Sequence, residues 1–294
     1  MAIKDVIRTS KANIIFQKHP LKFIFAVVIM KIGLSKFLKI NRKLYVLRFF
    51  PTPWSRTLWI EPDYWNAQDK FFNSYIKKND KIIDVGANIG TITLTCAMKT
   101  GPDGKVYSIE PNPIVFKYLE SNIKLNHANN VKTYNCAIGD KKGTVTFSII
   151  RSDGQSKIVE KEFLDDAIVQ QGRKIEVPIR SIDDLGLKES EYSLMKIDVE
   201  GYEKFVILGA KNTIKKVNCI YFEVIPKNYK KYGYDPKEIF DFLINEGFQL
   251  FIILEGNKIT PININFNLDV ANVLAIRKID DFLKRTKFIL EDKK

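Results

Sequence analysis

The run Lys81-Ile82-Ile83-Asp84-Val85-Gly86-Ala87-Asn88-Ile89-Gly90 limits the fold more than any other stretch of the 294 residues. A short apolar strand ends in an acid, and a turn with two glycines then opens a helical pattern. Gly86 lets the backbone turn tightly and approach a ligand, and Gly90 lets the next helix begin close to the strand. Strand, glycine turn and helix in this order start a βαβ unit, which commits the chain to a parallel sheet.

The remaining sequence continues that alternation. Further strands are predicted at Lys105-Ile109, Val131-Ala137, Leu194-Asp198, Cys219-Val224, Phe248-Leu254 and Asn272-Arg277, with helices at Thr91-Met98, Ile114-Asn126, Tyr202-Ile214 and Pro236-Asn245. The expected fold is α/β and Rossmann-like: one sheet of seven strands with helices on both faces. Thr144-Ile150 and Ile175-Ile179 read as extra strands around a polar insertion, residues 151–173, with little strand or core character, a candidate lid or substrate loop.

The glycine turn marks a nucleotide-type site. A pyrophosphate would call for G-x-G-x-x-G and bare amides at the helix N-terminus, but here Asn88 takes the middle position and Asp84 stands at the strand end. An acid there suits a ligand carrying an ammonium group. S-adenosylmethionine has that ammonium and no phosphate. Twenty residues after Gly90, the next strand ends in Glu110, and a carboxylate can accept both hydroxyls of an adenosine ribose.

Asp198 and Glu200 follow the fourth strand and alternate with Ile197 and Val199, so both could face the crevice at the sheet's reversal point; alternatively Glu200 caps the following helix. Glu223 interrupts an apolar strand, where burial would raise its pKa and suit it to proton transfer, or where it would pair with Lys196. Only His19 and His127 are present, and neither falls near these strand ends, so the base is expected to be a carboxylate, with Asp198, Glu200 and Glu223 as candidates, or a nearby lysine. No cluster has metal-ligand spacing, so no metal is expected.

Read together, DVGANIG (84–90), SIEPNP (108–113), LMKIDVEGYE (194–203) and YFEV (221–224) resemble the FkbM-type methyltransferases, a branch of the class I S-adenosylmethionine-dependent enzymes. The resemblance runs from about residue 71 to about residue 223. It implies a seven-stranded sheet with an antiparallel last strand, S-adenosylmethionine as cofactor and O-methylation of a sugar or small-molecule hydroxyl. It also implies that Asp84, Gly86, Asn88 and Gly90 form the cofactor turn, that Glu110 is the ribose acid, and that Cys136 and Ala137 edge the adenine.

The formal charge of +13 is concentrated. Residues 1–50 hold eleven basic residues against the single acid Asp5, so ten of the thirteen net charges sit there. Pro51 and Pro53 break this basic, apolar, helical arm from a lead-in segment, residues 51–80; residues 81–278 form the methyltransferase domain and 279–294 a helical tail. Leu21 to Leu34 is apolar but contains Lys22 and Lys31 and is too short to span a bilayer. The arm therefore either caps the domain or lies on an anionic membrane.

Three scattered cysteines in apolar runs fit a reducing, cytoplasmic setting, with peripheral membrane contact through residues 1–50 left open. The near-neutral remainder argues against nucleic acid as partner and for a small-molecule or glycan acceptor. The rival readings are an RNA or protein methyltransferase recruited by the arm, and a non-catalytic cofactor-binding module at a membrane.

Overall fold

Buried side chains on both faces make Lys81–Val85 a central strand: Ile82, Ile83, Asp84 and Val85 are all shielded from solvent. The computed structural model describes residues 13–64, 67–149, 157–159, 173–254, 256–262 and 271–291. Its strands, in chain order, are β1 (Lys39–Asn41), β2 (Val46–Arg48), β3 (Lys81–Val85), β4 (Lys105–Ile109), β5 (Val131–Tyr134), β6 (Ala137–Ile138), β7 (Gly143–Ile149), β8 (Lys157–Val159), β9 (Arg173–Arg180), β10 (Tyr192–Ile197), β11 (Val217–Val224), β12 (Gln249–Leu254), β13 (Lys258–Pro261), β14 (Ala271–Ile276) and β15 (Ile289–Leu290).

The main sheet has the order β15-β13-β12-β14-β11-β10-β3-β4-β5. β5, β4, β3, β10 and β11 are parallel, and β14 inserts antiparallel between β11 and β12. The chain therefore has the α/β, Rossmann-like sheet with a reversed last strand, but among the described residues it holds nine strands rather than seven. The two additions form one edge: β13 folds back on β12 through Gly256 and Asn257, both at positive φ, and β15 pairs with β13. The segment after residue 278 is thus a helix, Ile279–Thr286, followed by an edge strand.

Period-two alternation divides the core between the two faces of the sheet. Ile82, Leu194, Cys219 and Tyr221 pack with Phe71 and Phe72 on one face, whereas Ile83, Met195, Ile220 and Phe222 pack with Val206 and Phe240 on the other. Ile40, Tyr45, Leu47 and Phe49 belong to the first of these clusters, so the β1–β2 hairpin is built into the core of the sheet domain. The side chains of Asn126 and Asn122 accept the Val46 and Arg48 amides at 2.7 and 2.8 Å. The expected break near residue 51 is consequently a local turn into the helix Pro53–Ile60, capped by Thr52.

Two predicted elements are interrupted. Val131-Ala137 divides at Asn135: β5 stays in the main sheet and β6 joins a second sheet of order β6-β9-β7-β8. The predicted helix 202–214 breaks at Gly209 and Ala210 into Glu203–Leu208 and Lys211–Ile214: the Gly209 carbonyl accepts the Asp183 amide at 3.1 Å, and the Asp183 carboxylate accepts the Asn212 and Thr213 amides of the second helix at 2.9 Å each.

The insertion also holds more structure than its composition indicated. Residues 157–159 form β8 against β7, with Ile158 buried against Phe147 and Val177. Residues 150–156 and 160–172 lie outside the described residues, as do residues 1–12 of the arm. Among the described residues no helix is long and apolar enough to cross a membrane.

Candidate active site

A cleft of about 780 Å³ opens at the carboxyl ends of β3, β4 and β10, within the usual size range of small-molecule sites. Its floor is the glycine turn. Gly86 has φ +78°, and a Cβ there would stand 1.9 Å from the Asp198 carbonyl oxygen, so only glycine allows β3 and β10 to end side by side. Gly90, at φ +93°, opens the helix Thr91–Thr100 against Leu119. Asn88 takes φ +51°, a left-handed conformation that asparagine tolerates better than most residues, and its side-chain oxygen accepts the Ile89 amide at 2.7 Å.

Glu110 closes one side. Its Oε2 accepts the Asn88 amide at 2.9 Å and its Oε1 accepts the Asn112 amide at 2.8 Å. Burial nevertheless pushes its pKa up to about 7, with these two amides and Lys196 pulling the other way. Each oxygen keeps a lone pair for a further donor, which is the requirement for holding two vicinal hydroxyls. Cys136 and Ala137 line the cleft where β5 gives way to β6.

Asp84, expected to serve the cofactor's ammonium, lies outside the lining of the cleft. It is fully buried below the turn, accepts the Thr93 hydroxyl at 2.6 Å, and faces Lys196 Nζ at 3.4 Å. Lys196 is the residue that motif reading undervalued. It donates to the Gly86 carbonyl at 2.7 Å and lies 3.5 Å from Asp198 Oδ2. Burial disfavours its charge, but Asp198 and Asp84 together outweigh that effect and hold its pKa above the ordinary lysine value.

Asp198 and Glu200 both line the cleft, and the Asp198 side chain is 38% exposed. Glu200 adopts φ +57°. The amide of Val199 is accepted by Glu203, at 3.1 Å, and the first helix after β10 has no side-chain cap at its start. Burial raises the Glu203 pKa to about 8. Glu223 is not among the cleft-lining residues. The ion pairs of Lys196 are with Asp84 and Asp198 rather than with Glu223. Its pKa is raised by burial and then by Asp198.

The far wall comes from regions that motifs did not reach. Met30, Phe50, Thr52 and Trp54 precede the sheet, and Phe147, Ile149 and Ile158 come from the second sheet. Lys196 is the single basic residue of the lining described, against Asp69, Glu110, Asp198 and Glu200.

The pattern of the methyltransferase FkbM domain matches residues 84–250, more than half of the chain. The chain belongs to the FkbM methyltransferase family. S-adenosylmethionine is the family's cofactor, and the buried Glu110 carboxylate and the Gly86–Gly90 turn fit it. The chain is 28% identical over 171 residues to the hexuronic acid methyltransferase AglP of Haloferax volcanii, covering 55% of this chain and 61% of AglP. It is 27% identical over 164 residues to the 2-O-methyltransferase NoeI of Sinorhizobium fredii, covering 51% of this chain and 65% of NoeI. The matched part thus spans less than two thirds of either relative. Among solved structures, an FkbM methyltransferase from Methylobacillus flagellatus aligns with a TM-score of 0.44 at 16% identity, over 67% of this chain and 43% of that one.

Proposed function

We propose that this chain O-methylates a neutral hydroxyl of a small molecule or glycan. The observation that carries the reading is the composition of the cleft: among the described residues its lining holds Asp69, Glu110, Asp198 and Glu200 and a single cation, Lys196, which lies between Asp84 and Asp198, while Asp69 pairs with Arg42. A polyanion such as RNA would meet Asp198 and Glu200 there rather than a patch of lysines and arginines. A hydroxylated acceptor would instead find acceptors for its O–H groups and an apolar wall, with Trp54 offering a 38% exposed aromatic ring on which sugar C–H groups can pack.

When bound, S-adenosylmethionine supplies the electrophilic methyl group. Glu110 would accept the ribose hydroxyls, Cys136 and Ala137 would border the adenine, and the Gly86–Gly90 turn would let the backbone approach closely. Asp198 is the proposed base: it reaches the cleft, and Lys196 fixes its position. Glu200 is placed to orient the acceptor. Most of the rate would come from alignment of the acceptor oxygen, with proton removal contributing the smaller share.

Incubation of the purified protein with methyl-labelled cofactor and a panel of neutral glycosides, uronic acids, RNA and protein tests this reading. Label entering a neutral hydroxyl as an alkali-stable methyl ether is the expected result. Label entering RNA or protein alone would overturn it, and so would a preference for the uronic acid carboxylate.

A further inference from the structure

The helix Pro20–Lys31 is apolar around almost its whole circumference, broken only by Lys22 and Lys31, which a helix lying on a protein surface ordinarily is not. Phe23 and Val27 are buried against Ile15 and Ile60 on the inner face. Leu21, Phe25, Val28 and Ile32 recur at a spacing that puts them on one stripe roughly opposite. Most of that stripe faces outward: Leu21 is 82% and Ile32 59% exposed, Phe25, though it stacks on Trp59, is half exposed, and Val28 is half-buried. The chain then turns at Gly33 and presents Phe37, 71% exposed, beyond it.

Charge identifies the occupant. Lys22 and Lys31 lie roughly a quarter turn to either side of the stripe, and Lys36 and Lys39 follow Gly33; all four are exposed. Residues 13–50 contain no Asp or Glu. A second copy of the chain would bring lysine against lysine across a two-fold axis. Nucleic acid would leave the apolar stripe without a partner. An apolar stripe edged by lysines matches the boundary between lipid headgroups and acyl chains, and the helix is too short to span it.

We propose that this outer face docks on the surface of an anionic lipid bilayer. The arm thereby has two functions, capping the core with its inner face and binding membrane with its outer one. Met30 of the same helix lines the cleft, so docking would hold the cleft close to the membrane.

Co-sedimentation of the full-length protein with vesicles tests the proposal, using pure phosphatidylcholine and a mixture containing about one third phosphatidylglycerol. The parent protein is expected to bind the mixed vesicles at low salt, and not the neutral ones. Leu21→Glu with Ile32→Glu, and separately Lys22→Glu with Lys36→Glu, should each weaken binding by about tenfold or more. Unfolding temperature and S-adenosylhomocysteine affinity, both expected to match the parent, establish that the variants are folded. Failure of the parent to bind mixed vesicles would overturn the proposal, as would equal binding to neutral ones. Undiminished binding by the Leu21/Ile32 variant would assign the contact to another surface. Conversion from dimer to monomer in that variant, without vesicle binding by the parent, would make the face a self-association surface instead.

Discussion

Lys196 and Asp84 face each other across adjacent parallel strands, partners in register, with 3.4 Å between Nζ and Oδ1 and both side chains buried. The pair sits directly beneath the cofactor turn and ties it down through the Gly86 carbonyl. Removing one member of a buried ion pair costs far more than the pair contributes, because the other charge is left uncompensated.

Lys196→Met should therefore destabilise the protein by about 3–5 kcal/mol at neutral pH. Urea denaturation of parent and variant measures this. Adding Asp84→Asn to Lys196→Met removes the uncompensated buried charge and should recover part of the loss; a double variant no more stable than Lys196→Met would mean that lost packing, not charge, is responsible.

Glu110 gives a pH signature. Its folded pKa, about 7, lies above the ordinary carboxylate value of 4.5. The stability associated with this proton is fully present below pH 4.5 and is lost as the pH rises through 7. Cofactor binding should respond in the opposite direction, because only the ionised carboxylate accepts both ribose hydroxyls without giving up an oxygen to its own proton. S-adenosylhomocysteine affinity measured by calorimetry should rise as the pH increases through about 7. Glu110→Ala should lower affinity by about tenfold or more and flatten this response. A pH response surviving in the variant would mean that a group other than Glu110 carries it.

The parts of this site that were legible in the sequence are those fixed by local backbone geometry. Gly86, Asn88 and Gly90 have left-handed backbones, and the strand-end position of Glu110 followed from apolar periodicity. The depth of Asp84 has no local signal, because a strand-end acid can point to the ligand or below it, and Lys196, which it faces, is 112 residues away in sequence. The second sheet and the far cleft wall were hidden for a related reason: Phe50, Trp54 and Phe147 have no local pattern that distinguishes a cleft wall from a core. The β12–β13 hairpin was readable in principle, since Gly256-Asn257 between apolar runs is a turn signal.

Gly86→Ala and Gly33→Ala separate two causes of strain. Both glycines have positive φ, +78° and +74°, but a Cβ at Gly86 would strike the Asp198 carbonyl whereas one at Gly33 would meet nothing within 4 Å. Gly33→Ala should cost only the conformational term, about 1–2 kcal/mol. Gly86→Ala should cost distinctly more and abolish cofactor binding, because β3 and β10 must part. Equal losses in thermal unfolding would mean that the turn relaxes without moving β10.

The roles of the carboxylates are separable by kinetics. Asp198 lines the cleft and is held by Lys196, whereas Glu223 stands outside the lining with a pKa raised by burial. Asp198→Asn keeps the shape but cannot take a proton, and loss of a general base typically reduces rate by about 10²–10⁴-fold. Because Lys196 retains Asp84, the variant should stay folded, with cofactor affinity reduced much less than turnover. Glu223→Gln removes a charge near Asp198 without touching the cleft wall, so its rate should fall less than about tenfold. Single-turnover measurements at saturating cofactor and acceptor compare the two. If Glu223→Gln is the slower variant, the base lies deeper in β11 and the cleft must open towards it. If neither loses tenfold, positioning alone carries the reaction, and Asp198 serves with Lys196 to hold the turn.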